Sequence, residues 1–179
     1  MEEGYLSELK DMRNSQMDVL RQSRPLTDED QKRWFSLISG DKTQDIFVIK
    51  KEGDNGSYEF IGYCGITNMD RQEGKGEISF LVKTERADKP EIYRKDFLST
   101  LYMLCLHGFE EAGLKKLYTE TYIFREYHMK ILEEFGFVAG ETLKDRKTVK
   151  GNTYDSVIHT LLQNQWSQVK RRIKGVLEK

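Results

Sequence analysis

The chain has 179 residues, of which 37% are hydrophobic and 33% charged. That length suits one domain burying roughly 70% of its extended-chain surface, and the mixture is too apolar for a disordered chain and too interleaved with charge for a membrane one. Basic and acidic side chains number 29 and 30, a formal net charge of −1, so no global field attracts phosphate backbones or anionic lipid, and neither nucleic acid nor a membrane is the expected partner.

The opening MEEGYLSELKDMRN is acidic and polar, without the basic-then-apolar order of a secretory signal, and no apolar run approaches about 18 residues. These features read as cytoplasmic. A first helix is predicted over Ser15 to Leu20. Pro25 breaks the chain before Thr27, whose hydroxyl can cap a second helix with an acidic first turn, Asp28-Glu29-Asp30, and an apolar face of Trp34, Phe35 and Ile38.

Ile46 to Lys50 and Tyr58 to Thr67 are rich in β-branched and aromatic residues and flank the turn formers Glu52-Gly53-Asp54-Asn55-Gly56, which predicts a hairpin. Gly76 to Val82 follows a second glycine-bearing turn, extending the hairpin to an antiparallel meander. From Phe97 the period becomes helical, through Leu101, Leu104, Cys105, Gly108 and Ala112 to a stop at Gly113. Leu117 to Ile123 reads as a strand, Tyr127 to Glu134 as a short helix ending at Gly136, and Thr153 to Leu162 as a last strand or strand pair. The order predicts an α+β fold with a mixed, mostly antiparallel central sheet flanked by helices.

Residues 1–165 form this single domain, and 166–179 form a basic amphipathic tail with Trp166, Val169, Ile173 and Val176 at helical spacing. The tail docks on its own domain or on a second subunit, as in a homodimer, or else meets acidic partners. Cys64 and Cys105 stand in apolar surroundings as buried thiols, and His107, His128 and His159 have no spacing that brings two to one metal. No metal is expected.

Three stretches carry a family resemblance: Gly76-Glu77-Ile78-Ser79-Phe80-Leu81-Val82; Gly108-Phe109-Glu110-Glu111-Ala112-Gly113-Leu114-Lys115-Lys116-Leu117; and Ile131-Leu132-Glu133-Glu134-Phe135-Gly136-Phe137. With the element order, they resemble the GCN5-related N-acetyltransferase (GNAT) family over roughly residues 12 to 162. A fourth set, Met12-Arg13-Asn14, Leu20 to Thr27 and Gln31 to Phe35, is similar to the opening of enzymes that acetylate amino groups on nucleotide-linked sugars, and less closely to that of ribosomal-protein N-terminal acetyltransferases.

The resemblance implies transfer of an acetyl group from acetyl-CoA, a co-substrate, to a small-molecule primary amine. That chemistry needs a deprotonated amine, a polarised thioester carbonyl and a water-poor cleft. Glu77 is implied as the acceptor of the amine's proton; read from the residues alone, it is equally a glutamate on a polar sheet face or one paired with a base. The strand Phe80, Leu81, Val82 is implied to offer backbone amides to the pantetheine arm and the carbonyl. The family's glycine-bearing pyrophosphate loop falls on Ile92-Tyr93-Arg94-Lys95-Asp96-Phe97, which has no glycine; Arg94 and Lys95 either replace the missing amides at the helix start or form a solvated basic turn.

The position of the family's acid tyrosine is Leu132. Tyr127 and His128 lie one turn earlier without a reason to inherit the role. Arg125 stands where an asparagine often touches coenzyme A, so a cationic contact to phosphate is implied there. Arg21 and Arg24 flank the break before the second helix, where they either hold a nucleotide's phosphates or face solvent, and Trp34 either packs on a ring of the substrate or belongs to the core. Three readings stay open: an amine acetyltransferase, in particular for a nucleotide-linked amino sugar; a weakly active or inactive acyl-CoA-binding module, suggested by the missing glycines and tyrosine; and acylation of a protein N-terminus or an antibiotic amine.

Overall fold

The computed structural model describes residues 3–53 and 55–178. Asp54, in the predicted first turn, lies outside them. Helix α1 is Leu6–Ser15 rather than Ser15 to Leu20, because Leu6, Leu9 and Met12 supply the buried stripe. Beyond Ser15 only a single 3₁₀ turn, Met17–Val19, precedes an irregular strap. Helix α2, Asp28–Ile38, starts as predicted: the Asp30 N–H donates to the Thr27 hydroxyl and the Thr27 N–H to the Asp30 carboxylate, a capping box that satisfies two otherwise orphaned amides.

Strands β1 (Asp45–Glu52), β2 (Tyr58–Asp70) and β3 (Lys75–Val82) form the expected meander. After a short helix α3, Thr84–Ala87, the long helix α4 runs Pro90–Leu106, starting at Pro90 instead of Phe97. Proline at the first turn has its φ preset and no N–H to lose, so the helix can begin there. It closes in a π-helical turn, His107–Glu111. Strand β4 (Lys116–Tyr122), helix α5 (Glu126–Phe135), strands β5 (Val138–Val149) and β6 (Asn152–Leu162), and helix α6 (Gln163–Leu177) complete the order.

Strand β5 was not legible in the sequence. It is an edge strand with two register shifts and largely exposed side chains, so it lacks apolar alternation. The sheet order is β1-β2-β3-β4-β6-β5, with β3 and β4 the one parallel pair among the described strands.

The main core lies between the sheet and helices α4, α5 and α6, where Phe97, Leu98, Leu101 and Leu104 meet Ile66, Leu117, Ile131 and Leu161. A smaller cluster under α1 joins Leu9 and Met12 to Phe60, Tyr63 and Leu81. The tail helix α6 docks on its own domain: Trp166, Val169 and Ile173 are buried, the Trp166 indole donates to Glu110 at 2.6 Å, and Arg172 donates to the end carbonyls of α5 at Glu134 and Phe135. Cys64 and Cys105 are buried free thiols, with burial pushing the Cys64 thiol up to about 12.

Two glycines separate close backbone approach from mere helix cost. A Cβ on Gly62 in β2 would stand 2.3 Å from the Leu81 carbonyl oxygen on β3, whereas one on Gly175 in α6 would meet nothing within 4 Å. Gly62→Ala should therefore lower the unfolding free energy by about 1–3 kcal/mol, and Gly175→Ala should raise it by up to about 1 kcal/mol. Urea unfolding of the two variants checks the opposite signs.

Candidate active site

Strands β3 and β4 pair only at Lys75–Lys116, Gly76–Leu117 and Glu77–Tyr118. Each stays tied to its outer neighbour well beyond that point, β3 to β2 as far as Val82 and β4 to β6 as far as Tyr122. The sheet therefore opens into a V with Glu77 at its apex. Among the described residues, the β4-facing edge of β3 beyond Glu77 has no strand partner. An open cleft of about 220 Å³ lies at the gap, lined among others by Arg21, Glu77, Phe80, Glu120, Arg125 and His128.

Strand alternation puts Glu77 and Glu120 on the face toward the N-terminal strap. A register shift in β2 between Thr67 and Asp70 turns Asn68 to φ +49, a left-handed conformation that asparagine tolerates, and its amide donates to Glu77 Oε2 at 2.8 Å. Arg21 reaches both acids: Nη2 donates to Glu77 Oε1 at 2.5 Å and to Glu120 Oε2 at 2.7 Å, and Nη1 lies 3.3 Å from Glu77 Oε2. Glu120 also accepts from Arg146 Nε at 2.9 Å and Ser156 Oγ at 2.6 Å. Burial alone would push the Glu120 carboxyl up, but these donors and the Arg21 charge hold it below its ordinary value, so it is ionised at neutral pH.

The strap is fixed by a single ammonium. Lys147 Nζ donates to the carbonyls of Met17, Leu20 and Gln22 at 2.9, 2.6 and 2.9 Å. Asn14 adds a second clamp, accepting from the Leu26 N–H and donating to the Leu26 carbonyl. Arg21 is thus presented from a backbone held on both sides.

On the helix-facing side, Tyr93 Oη lies 2.6 Å from His128 Nδ1, and Arg125 Nη2 donates to Tyr93 Oη at 2.9 Å. Phe97 stacks on the imidazole at 4.2 Å and on Phe80 at 4.6 Å. Burial, then the Arg125 charge, holds the His128 imidazole well below its ordinary value, so the ring is neutral. A second groove, between the α3 region and the start of α5, includes Thr84, Tyr93, Phe124, Arg125 and His128. Arg125 and His128 line both cavities.

Of the residues singled out from sequence, Glu77, Arg21, Phe80, Phe97 and Arg125 meet at the cleft. Leu81 packs on the α1 cluster and Val82 on the main core; the Lys83 N–H donates to the Ile61 carbonyl on β2, so by strand alternation the Leu81 backbone also faces β2 and the Val82 backbone faces the gap side. Because α4 begins at Pro90, Tyr93 to Phe97 form its early turns and not a loop before it. Arg94 is ion-paired with Glu134 and Asp96 with Arg86, while Lys95 is exposed. Arg24 is separated from Arg21: its guanidinium forks onto Asp30 at 2.7 and 2.9 Å as part of the α2 cap. Trp34 is half-buried edge-on to Tyr63 with Arg13 over its ring, behind the cleft wall.

Sequence reasoning missed Glu120, Asn68, Lys147 and the Tyr93–His128 contact. Glu120 had a signal, since an acid between Tyr118 and Tyr122 in a strand flanked by others is out of place without a partner. Lys147 had none.

A sheet parted between two parallel strands, with an anchored carboxylate at the apex and a groove on each side, has the layout of a two-substrate transfer site. The chain belongs to the acetyltransferase (GNAT) domain family, which it matches over residues 5–158. Among solved structures, it is similar to a spermidine N-acetyltransferase from Vibrio cholerae in complex with CoA and spermine, at 16% identity and TM-score 0.80, covering 93% of this chain and 95% of that one. A spermidine/spermine N-acetyltransferase from Vibrio cholerae solved with manganese ions superposes with TM-score 0.75 at 17% identity, covering 94% and 92%. No curated protein matches in sequence. The described residues contain no group of three His, Cys, Asp or Glu side chains placed to hold a metal, and no described helix is long and apolar enough to cross a membrane.

His128 and His159 give the fold a defined acid sensitivity. His159 is buried between β6 and α5 with neither ring nitrogen hydrogen-bonded, the Glu133 carboxylate standing 3.8 Å away, and burial lowers its pKa too. The unfolded chain takes up protons at the ordinary value of 6.5 while the folded one resists. Stability is therefore full above pH 6.5 and falls as the pH drops through 6.5 toward the depressed values. His107 works the other way: burial opposes the charge, but Asp45 and Glu111 raise its pKa, so its contribution is already complete below 6.5. His159→Leu should match or exceed the parent's stability at pH 7 and shrink the loss between pH 6.5 and 5, read from urea unfolding across pH.

Proposed function

We propose that the protein is an acetyl-CoA-dependent N-acetyltransferase acting on a small primary amine, with Glu77 taking the amine's proton directly or through one water. The observation that carries this reading is the carboxylate at the last paired residue of a parting parallel strand pair, aimed by Asn68 and Arg21. The acetyl-CoA thioester lies in the V, its carbonyl polarised by the backbone N–H of Val82, the one of the pair Leu81 and Val82 that is turned away from β2, and its arm along Phe80 to Val82 toward Arg125. The amine enters from the strap side, attacks the carbonyl carbon and passes its proton to Glu77, and the C–S bond breaks.

The diphosphate is the poorest fit. Tyr93 and Phe97 are buried, Arg94 and Asp96 have ion-pair partners, and the outer groove carries Asp18, Asp88 and Glu126 beside Arg125. Within this proposal Arg125 and the exposed Lys95 are the cations nearest the required path, and modest coenzyme affinity follows. The same observation supports the binding-module reading, which a turnover assay separates.

For the acceptor, the cleft lining has three guanidinium groups, Arg13, Arg21 and Arg125, against the carboxylates of Glu77 and Glu120. That balance favours an amine on a molecule that also carries negative charge, such as a nucleotide-linked amino sugar, although the paired-arginine argument is reduced to Arg21. A polyamine is the second reading, supported by two carboxyl groups that share one guanidinium at the cleft and by the spermine ligand of the similar structure.

Glu77→Gln should lower kcat by about 10²-fold or more, the usual scale for a lost general base, with acetyl-CoA affinity by calorimetry nearly unaltered. An unchanged kcat removes Glu77 from the mechanism. Arg24→Ala should leave all kinetic constants as they are. Arg21→Ala should raise the Michaelis constant for an anionic amine and lower it for a polyamine, so steady-state kinetics over sugar nucleotides, peptides and polyamines assigns the acceptor class.

A further inference from the structure

The outer groove and the donor it would receive disagree in charge. Acetyl-CoA bears a diphosphate and a 3′-phosphate, roughly four negative charges at neutral pH, on an uncharged pantetheine arm. We infer that this protein recognises its donor through the acyl-pantetheine arm alone, so that its donor class is the acetyl pantetheine thioesters and the nucleotide end of acetyl-CoA adds nothing to binding. The inference rests on the acetyltransferase reading and narrows it.

Backbone amides are the first means of holding a diphosphate, and the start of α4 has them committed elsewhere. The Lys89 N–H donates to the Arg86 carbonyl at 3.2 Å, Pro90 has none, and from Tyr93, which donates to the Lys89 carbonyl at 2.9 Å, each N–H belongs to the helix ladder. Only the N–H groups of Glu91 and Ile92 are left at that end. The Glu91 carboxylate sits in the same first turn and takes the favourable field that a phosphate would use.

Side-chain cations are the second means. Arg86 forks onto Asp96 at 2.6 and 2.9 Å with both side chains nearly buried, and Arg94 pairs with Glu134. Lys89 and Lys95 are exposed, and Glu91 precedes Lys95 by four residues, the spacing at which two helical side chains face each other. Exposed point charges of this kind contribute little to holding an anion. Along the outer groove itself, Asp18, Asp88 and Glu126 oppose the one guanidinium in its lining, Arg125, which also donates to Tyr93 Oη.

An uncharged chain carrying amides meets a different surface. By strand alternation the backbone groups of Phe80 and the N–H of Val82 face the gap, where β3 has no strand partner among the described residues, while the Val82 carbonyl accepts from Gln16 at 2.8 Å. Phe80, Phe97 and the neutral His128 form an apolar wall beneath, and Val19, Ala87, Phe124 and Tyr127 continue apolar surface into the outer groove. The arm thus finds hydrogen-bonding groups and apolar contacts along the path on which phosphates find carboxylates.

Calorimetry on the intact protein with coenzyme A and with pantetheine tests this. Pantetheine should bind within about fivefold of coenzyme A, whereas a diphosphate held by even two charge-assisted hydrogen bonds would open a gap of about 10²-fold or more. Added salt screens exposed charges, so it should tighten coenzyme A or leave it unchanged, and leave pantetheine where it is. In turnover, acetyl-pantetheine should match the kcat/KM of acetyl-CoA within the same factor. A wider gap in affinity, or a coenzyme A affinity that falls with salt while that of pantetheine does not, overturns the inference and leaves the acetyltransferase reading in place. If neither acetyl-CoA nor acetyl-pantetheine acetylates any amine, it is the acetyltransferase reading that falls.

Discussion

Three residue pairs hold β3 to β4, and the site depends on there being no more. Beyond Glu77 both strands stay laddered on their outer sides, so the open edge of β3 is created without loosening the sheet. Natural sheets avoid bare edges because unpaired backbone groups are expensive to bury and prone to stray pairing. Here the gap is kept from closing by what fills its two mouths: Phe80, Phe97 and His128 stacked beneath it, and the Arg21 guanidinium bridging Glu77 and Glu120 above.

The upper mouth is an electrostatic assembly with unusual anchorage. A guanidinium between two nearly buried carboxylates relieves their mutual repulsion, and its charge is one of the causes that hold the Glu120 carboxyl below its ordinary value. Arg21 itself comes from an irregular strap, which would normally move. Lys147 replaces the missing secondary structure by taking three of the strap's carbonyls, as a turn of helix would have done through its own amides. The charge on the cleft floor is thereby set from β5, an edge strand far along the chain. The lower mouth is apolar and aromatic, and suits the thioester end of a long donor better than its phosphates.

The meander, the capping box at Thr27, the apolar face from Phe97 to Cys105 and the docked tail were legible because each rests on local periodicity or a short capping pattern. What failed were boundaries and contacts fixed by tertiary structure. Helix α1 begins earlier than its periodicity suggests because the polar residues around Leu6, Leu9 and Met12 hide a sparse stripe. Helix α4 begins at Pro90, ahead of its densest apolar run, which begins at Phe97. Strand β5 has almost no buried side to leave a pattern. In the site, Glu77, Arg21 and Arg125 could be picked out as charges beside motifs, but the partnership of Arg21 with Glu120 rather than Arg24 depends on sheet register, and the meeting of Tyr93 with His128 on the crossing of two helices.

The proposed function puts the donor's reactive end in the V between β3 and β4. Backbone amide shifts on titration with coenzyme A, read by heteronuclear NMR, test it residue by residue. Amides of Ser79 to Val82 and Ile123 to His128 should move in saturable fashion while those of β1 and the outer half of β5 stay fixed. Shifts confined to β1, β5 or α6, with β3 and the start of α5 unmoved, would contradict it.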